Sequence, residues 1–514
     1  MAREFRMLFF NIPRISENPC ILPAFGLKTR YLSAMTWDSL LVLGYYLFVT
    51  TVAVGILMEN RNPMKTMGFI MVLYLIPIGG LIIYFLFGQN HRKRKLFSRK
   101  GIRDNEHIRT WELENISQVK SAEEVTKHFL QDKWKVVNSL FNSDRAVLTT
   151  QNTWRLLRNG EETFGALLEA IEQAEHHIHI EYYIVEDDGI GRQFRDALIE
   201  KAKSGVEVRF IYDDVGSMSL KRRFLRPMRE AGIEVKPFMP VLFPLLTSRA
   251  NYRDHRKVVI VDGKVGFTGG VNLSSRYTNV KSEGRYWRDT HLRLEGDAVK
   301  SLQMHFLLMW RFVNESAPQV SPDYFPDIEV DEITLVQVAA SGPDSDWANI
   351  LSAIFTAINT AQREILITTP YFIPNDEILF ALQTAALSGI QVKIILPKKS
   401  DSRLVQAAMM SYVKEMLEAG VKVYLYEKGF IHAKTMVVDE SLCTVGTSNM
   451  DYRSFDINFE INAFVYDNEM AKALKSDFKK DLESCSEITL ERWDKRVLRR
   501  RVSESFARLV APLL

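Results

Sequence analysis

The sequence predicts an α/β protein: two similar mixed-sheet halves in a pseudo-two-fold arrangement, preceded by an N-terminal two-helix transmembrane hairpin. Three observations predict it. Two long stretches without a charged residue, 39–58 and 66–90, stand in tandem near the start. A set of short segments recurs in the same order in the two parts of the remaining chain. One spaced pattern of His, Lys and Asp occurs twice, at His255, Lys257 and Asp262 and at His432, Lys434 and Asp439.

Residues 1–37 read as a cytoplasmic N-terminal segment and residues 38–90 as the hairpin. At 1.5 Å per residue, about 20 helical residues cross a ~30 Å hydrocarbon core. Spans are therefore expected at about 39–58 and 67–88. A cleaved signal peptide fits poorly, because the first apolar run starts late and a second follows at once. The link at 59–65 holds two basic residues, Arg61 and Lys65. Arg3, Arg6, Arg14, Lys28 and Arg30 precede the first run; Arg92, Lys93, Arg94, Lys95, Arg99 and Lys100 follow the second. This bias keeps both outer flanks, and the catalytic halves, on the cytoplasmic side. Met7-Leu8-Phe9-Phe10 is too short to span and reads as interfacial.

Residues 91–149, charged and mostly helical in pattern, form the expected connector. The halves follow at 150–330 and 331–514, each of ordinary domain size. Their repetition is direct. Ala202-Lys203-Ser204-Gly205-Val206-Glu207-Val208 parallels Ala386-Leu387-Ser388-Gly389-Ile390-Gln391-Val392, and Ala231-Gly232-Ile233-Glu234-Val235 parallels Ala419-Gly420-Val421-Lys422-Val423. Each half reads strand, helix, strand, helix, strand and then the strand of the His-Lys pattern, the alternation of a helix-covered mixed sheet. The first half is longer between Ala231 and His255. Its surplus includes the apolar, twice-proline stretch Pro240-Val241-Leu242-Phe243-Pro244-Leu245-Leu246, read either as core or as a loop at the site mouth touching acyl chains. The cluster Lys221, Arg222, Arg223, Arg226 and Arg229 reads as a solvated helix face, with anionic headgroups as the alternative.

Residues i and i+2 of a strand point to one face, so His255 projects with Lys257 and His432 with Lys434. The runs Val258-Val259-Ile260-Val261 and Thr435-Met436-Val437-Val438 read as the short buried strands that follow. Each copy then reaches a small-residue turn ending in asparagine, Gly269-Gly270-Val271-Asn272 and Gly446-Thr447-Ser448-Asn449. Since each half carries one His-Lys pair, one site shared between them would place two imidazoles and two ammonium groups around a phosphate. One histidine can attack phosphorus while the other protonates the departing alcohol. The lysines, with the Asn272 and Asn449 amides as substrate-binding candidates, can stabilise the equatorial oxygens. Asp262 and Asp439 complete the candidate catalytic set, although their strand-end positions suit a structural or orienting role better than substrate contact. No metal or other cofactor is expected, because lysine is a poor companion ligand and already supplies the charge. Asp289 and Glu460 each open a strand-like stretch after a motif, and a carboxylate there can hold an imidazole in one tautomer.

The duplicated HxKxxxxD resembles the phospholipase D superfamily, and further stretches resemble its bacterial cardiolipin synthases. These are Ile180-Glu181-Tyr182-Tyr183-Ile184, Thr369-Pro370-Tyr371-Phe372, Tyr286-Trp287-Arg288-Asp289-Thr290-His291, Asn449-Met450-Asp451-Tyr452-Arg453-Ser454-Phe455 and the ending Arg508-Leu509-Val510-Ala511-Pro512-Leu513-Leu514. The resemblance covers nearly the whole chain. It implies phospholipase D-like halves, a phosphohistidine intermediate, and phosphatidyl transfer between two phosphatidylglycerol molecules to give cardiolipin and glycerol. It also implies His255 as nucleophile, His432 as acid and base, and orienting pairs of Asp289 with His255 and Glu460 with His432. Partners follow: phosphatidylglycerol and other anionic phospholipids, and the inner membrane of a bacterial cell, with a multi-pass anchor and cytoplasmic catalytic part. A hydrolase releasing phosphatidic acid, a nuclease and a non-catalytic membrane scaffold are the alternatives.

Composition agrees. A formal charge of +3 is too small to imply a nucleic-acid partner. Cys20, Cys443 and Cys485 are too few and too scattered for a disulfide framework or zinc site. The run Arg499-Arg500-Arg501 precedes an amphipathic tail suited to anionic lipid. Nothing in the sequence speaks to oligomeric state.

Overall fold

The computed structural model describes residues 37–58, 63–76, 78–84, 130–241, 251–280, 284–314, 320–330 and 332–511. The chain forms two compact units, Met1–Tyr84 and Phe85–Leu514. The interfacial reading of 7–10, most of the basic flanks, residues 91–129 of the connector, residues 242–250 of the apolar insertion and the last three residues lie outside the described part.

In the first unit the helix Trp37–Met58 carries no charged residue after Asp38. Its stretch Ser39–Met58, of mean hydropathy 2.2, is the one helix among the described residues long and apolar enough to cross a membrane. The helix Pro63–Leu75 lies against it: Val49, Ile56 and Leu73 are buried together, and the Tyr45 hydroxyl donates to the Leu73 carbonyl at 3.2 Å. The second span expected at 67–88 is not one continuous helix. Pro63–Leu75 ends, Ile78 takes φ 62°, and a short helix resumes at Gly79–Ile83. The cause is local. Pro77 offers no amide hydrogen, and a branched side chain in the left-handed region does not continue a helix. Gly80 packs so closely that a Cβ there would lie 2.4 Å from the Val72 carbonyl oxygen.

The second unit is built on strands in two similar series. The first holds β1 (Leu148–Arg158), β2 (His177–Tyr182), β3 (Glu207–Asp213), β4 (Glu234–Phe238), β5 (Lys257–Val261), β6 (Val265–Gly269), the two-residue β7 (Trp287–Arg288) and β8 (Thr290–Gly296). The second begins with β9 (Ile333–Ser341), β10 (Glu364–Thr368), β11 (Phe372–Ile373), β12 (Gln391–Pro397) and β13 (Lys422–Tyr426). It continues with β14 (Phe430–Ile431), β15 (Thr435–Val438), β16 (Leu442–Gly446), β17 (Met450–Asp451), β18 (Glu460–Tyr466) and β19 (Cys485–Ile488).

Fifteen of these make one sheet, ordered β19-β13-β12-β10-β15-β16-β18-β9-β1-β8-β6-β5-β2-β3-β4. Read outward from the β9–β1 contact, the two sides have the same order over seven strands each, and β19 is an eighth added at the edge of the second. That contact is antiparallel, with Leu148 opposite Gln337. The sheet is mixed as expected. β2 pairs with β3 in parallel across the helix Gly189–Lys203, whereas β5 lies antiparallel to β2 with Lys257 opposite Tyr182. Helices cover both faces. The helix Asp297–Asn314 packs Leu302, Phe306 and Trp310 into a core that also takes Met470 and Phe478 from the helix Asn468–Leu482, so one hydrophobic core draws on both series. The helix Trp134–Asp144 precedes the first series in sequence but belongs to the second by packing. Gln337 donates to the Val137 and Ala146 carbonyls, and Asp144 accepts from the Ala340 amide at 3.0 Å.

Candidate active site

His255 and His432 sit immediately ahead of the equivalent strands β5 and β15, and both line one cavity of about 340 Å³. The two-residue spacing does what strand geometry requires. Lys257 Nζ donates to its own motif's His255 carbonyl at 2.7 Å, and Lys434 Nζ to the His432 carbonyl at 2.6 Å. All four residues are buried, at 8% exposure or less. Lys434 Nζ also lies 3.0 Å from both ring nitrogens of His432, whereas His255 Nε2 has no hydrogen-bond partner among the described residues.

The carboxylates are crossed. His255 Nδ1 meets Glu460 at 2.9 and 3.0 Å, and His432 Nδ1 meets Asp289 at 2.7 Å. The implied pairing of Asp289 with His255 and Glu460 with His432 is therefore corrected: each imidazole is held by the other half. The cause is in the backbone just before each group. β14, which leads into His432, pairs in parallel with β7, which leads into Asp289, and the His432 amide donates to the Arg288 carbonyl at 2.7 Å. On the other side the His255 amide donates to the Phe459 carbonyl at 3.0 Å, and the Phe459 amide to that of Arg253 at 2.9 Å. These two short ladders lace the halves together and bring each His opposite the far carboxylate.

The surroundings of the two carboxylates differ. Thr447 donates its hydroxyl to Glu460, while at the matching place of the first turn stands Gly270, where a Cβ would lie 2.0 Å from Asp289 Oδ1. A glycine is required there by that close approach. Asp289 Oδ1 accepts the Thr290 amide instead, at 2.8 Å.

Burial dominates the charges. It lowers His255 to about 4, with Glu460 opposing and Lys257 assisting the shift. It lowers His432 to about 4, with Lys434 assisting and Asp289 opposing. Lys257 falls to about 7 through burial and the neighbouring Lys434 ammonium. Lys434 falls to about 8 through burial, partly offset by Asp289 and Glu460. Burial pushes Asp289 and Glu460 upward, but their histidines together with the nearby lysines and the Thr290 and Thr447 hydrogen bonds hold both below the ordinary carboxylate range. At neutral pH both imidazoles are thus neutral, each with Nδ1–H given to a carboxylate; His432 Nε2 faces the Lys434 ammonium, and His255 Nε2 meets no partner among the described residues. The site is poised to receive negative charge, which would raise both lysines and both histidines.

The two asparagines reach the same cavity by different means. Asn272 is pinned, accepting the Ile184 amide at 3.2 Å and donating to the Tyr277 hydroxyl at 2.8 Å. Asn449 Oδ1 is buried without a partner. Asp262 and Asp439 do not enter the site, and their place in a catalytic set is corrected. Each sits at the far end of its strand with φ near 55°, closing the turn that opens the neighbouring strand. Asp262 accepts the amides of Glu175, His176 and His177, and Asp439 those of Gln362, Arg363 and Glu364. Asp439 also binds the buried Lys133 ammonium at 2.8 Å. The larger cavity beside it, about 640 Å³, contains neither imidazole.

Residue-type reasoning passed over several cavity-lining groups. Tyr183 stacks edge-on to His255 at 4.9 Å between ring centroids. Asp451, pushed up to about 6 by burial, caps the short helix Tyr452–Asp456. Arg453 in that helix reaches across to the Asn251 carbonyl at 2.8 Å. All three lie inside stretches quoted above for the resemblance, which was the available signal.

The family described as "Cardiolipin synthase, PLD-like domain" matches residues 167–310 and 354–482, one match over each motif. Residues 47–89 match "Phospholipase_D-nuclease N-terminal". Over 465 residues, 89% of this chain and 88% of the relative, the sequence is 45% identical to "Cardiolipin synthase 2" of Bacillus anthracis. The chain belongs to the cardiolipin synthase family. A second relative, "Major cardiolipin synthase ClsA" of Bacillus subtilis (strain 168), is 41% identical over 479 residues, 92% of this chain and 99% of its own. Among solved structures, the phosphatidylserine synthase of Haemophilus influenzae Rd KW20 aligns with TM-score 0.54 at 12% identity, covering 75% of this chain and all of its own, a likeness of fold.

Proposed function

We propose that this member of the family is a cardiolipin synthase, a phosphatidyltransferase working through a phosphohistidine. The observation that carries the proposal is the pair of imidazoles in one cavity, each held at Nδ1 by a carboxylate from the opposite half. His255 Nε2, without a partner among the described residues, attacks the phosphorus of one phosphatidylglycerol. His432, which takes up a proton when the phosphate anion enters and raises its affinity for one, gives that proton to the departing glycerol oxygen. The His432 imidazole, now neutral, takes the proton of a second phosphatidylglycerol's hydroxyl, whose oxygen attacks phosphorus and displaces His255. Lys257, Lys434 and the Asn272 and Asn449 amides meet the equatorial oxygens as charge builds. Asp289 and Glu460 stabilise whichever imidazole is cationic. The lipid substrate supports a membrane location, and the basic residues on both outer flanks of the apolar stretch support a cytoplasmic face for the catalytic unit.

Purified full chain given labelled phosphatidylglycerol is expected to yield cardiolipin and glycerol. Phosphatidic acid as the sole lipid product would replace transfer with hydrolysis. Denaturing the reaction mid-course should leave acid-labile, base-stable phosphate label on the protein, absent in His255→Asn. Label that persists in His255→Asn and vanishes in His432→Asn would exchange the two roles.

A further inference from the structure

The helix Leu498–Leu509 carries an apolar stripe that nothing among the described residues covers. Leu498 is 72% exposed, Val502 60%, Phe506 68% and Leu509 77%. At about 100° per helical residue these four fall on one side, with Arg499 and Arg501 along its two borders. Neither arginine forms an ion pair among the described residues.

The exposure is not a sign of a loose tail, because the opposite side is fastened. Ala507 and Glu504 are buried. Arg496 grips Glu504 at 2.7 and 2.9 Å, and Arg508 pairs with Glu415 while resting 4.4 Å over the Tyr412 ring. Glu415 and Tyr412 belong to the helix Arg403–Glu418, and that helix starts at the catalytic cavity: its N-cap Ser402 and first-turn Val405 are cavity-lining residues. The stripe is thus held rigidly on the helix that opens at the site.

We propose that the helix Leu498–Leu509 is an interfacial anchor, lying in the plane of an anionic leaflet with its four apolar side chains at the acyl boundary and Arg499 and Arg501 among headgroup phosphates. Charge decides the occupant. In a symmetric contact between two copies, the bordering arginines of one would face those of the other, like against like. An anionic bilayer accepts stripe and border together. The proposal deepens the lipid-substrate reading, on which the site must meet substrate at a membrane surface.

The test uses the full chain in vesicles of phosphatidylcholine, alone or mixed with phosphatidylserine, which separates docking from turnover. A polarity-sensitive thiol dye is placed by Phe506→Cys, with Lys472→Cys as a position away from the helix and the unsubstituted protein as background. Blue-shifted emission, quenched by lipid-borne nitroxide only when phosphatidylserine is present and only at 506, is expected. Emission unchanged by phosphatidylserine would overturn the proposal, as would a shift in lipid-free detergent that grows with protein concentration, the mark of a second copy. On vesicles that also carry phosphatidylglycerol, Val502→Asp with Phe506→Asp should lower turnover about tenfold and leave it unchanged in detergent–phosphatidylglycerol micelles. Equal turnover on vesicles would also overturn it. Product identity in the micelles tests the transfer reaction separately.

Discussion

Glu460→Gln keeps the shape of the side chain beside His255 but removes the charge that stabilises its imidazolium and selects its tautomer. Turnover should fall about 10²–10⁴-fold, and Asp289→Asn should do the same through His432. The crossed arrangement has its own readout: in selectively labelled protein, Glu460→Gln should move the imidazole resonances of His255 and spare those of His432, with Asp289→Asn giving the reverse. The pH dependence of kcat/KM follows from the free site. The attacking imidazole must be neutral and the acid His432 protonated; both lie near 4 in the free site, so kcat/KM rises toward about 4 and falls above it as the protonated fraction of His432 shrinks. The lysines must be cationic, so the decline steepens as pH rises through about 7 and 8. A plateau continuing unchanged beyond pH 9 would contradict essential ammonium groups at those values. At this scale the sequence was legible where chemistry and spacing coincide: the HxK spacing brings both side chains to one cavity, although the strands begin only at Lys257 and Thr435. The partner of each histidine was not legible. It depends on β7 and β14, two residues each, which have no periodicity to read.

The elements beneath the site owe their register to Asp262 and Asp439. Each gathers three backbone amides, so replacement by alanine strands several donors at about 1–3 kcal/mol apiece where they are buried. The expected outcome for Asp262→Ala is a melting temperature lower by several degrees, with less than tenfold loss of turnover in the folded protein. Asp439→Ala should be more damaging, because it also leaves the Lys133 ammonium buried without its counter-charge. Thermal unfolding followed beside activity checks both; a large loss of turnover without loss of stability would return these aspartates to the chemistry. Strand-end position and the turn after it were readable from Asp-Gly and Asp-Glu-Ser. The amide triads were not, for they lie 75–87 residues upstream in sequence. The break within the second apolar stretch was not legible for a similar reason. Uncharged composition measures length, but a residue at φ 62° and a glycine against a carbonyl interrupt the rise.

At the scale of the molecule, repeated segments predicted two similar halves, and the order of seven strands on each side follows them. They could not predict that β1 and β9 would zip those halves into one sheet, since pairing between two half-sheets leaves no mark within either repeat. The shared core of the helices Asp297–Asn314 and Asn468–Leu482 binds them further. The described part of the second unit should therefore melt as one cooperative block, and calorimetry of the full chain should show a single transition for it rather than one per half.

The crossed pairs also bear on the order in which the chain is made. His255 waits 205 residues for Glu460, and Asp289 waits 143 for His432. A ribosome that has completed the first repeat has therefore released an imidazole and a carboxylate that are both unmatched. A polypeptide still being translated beside a lipid bilayer has no competent phosphoryl-transfer centre until its last strands emerge, and a prematurely ended product is silent by construction.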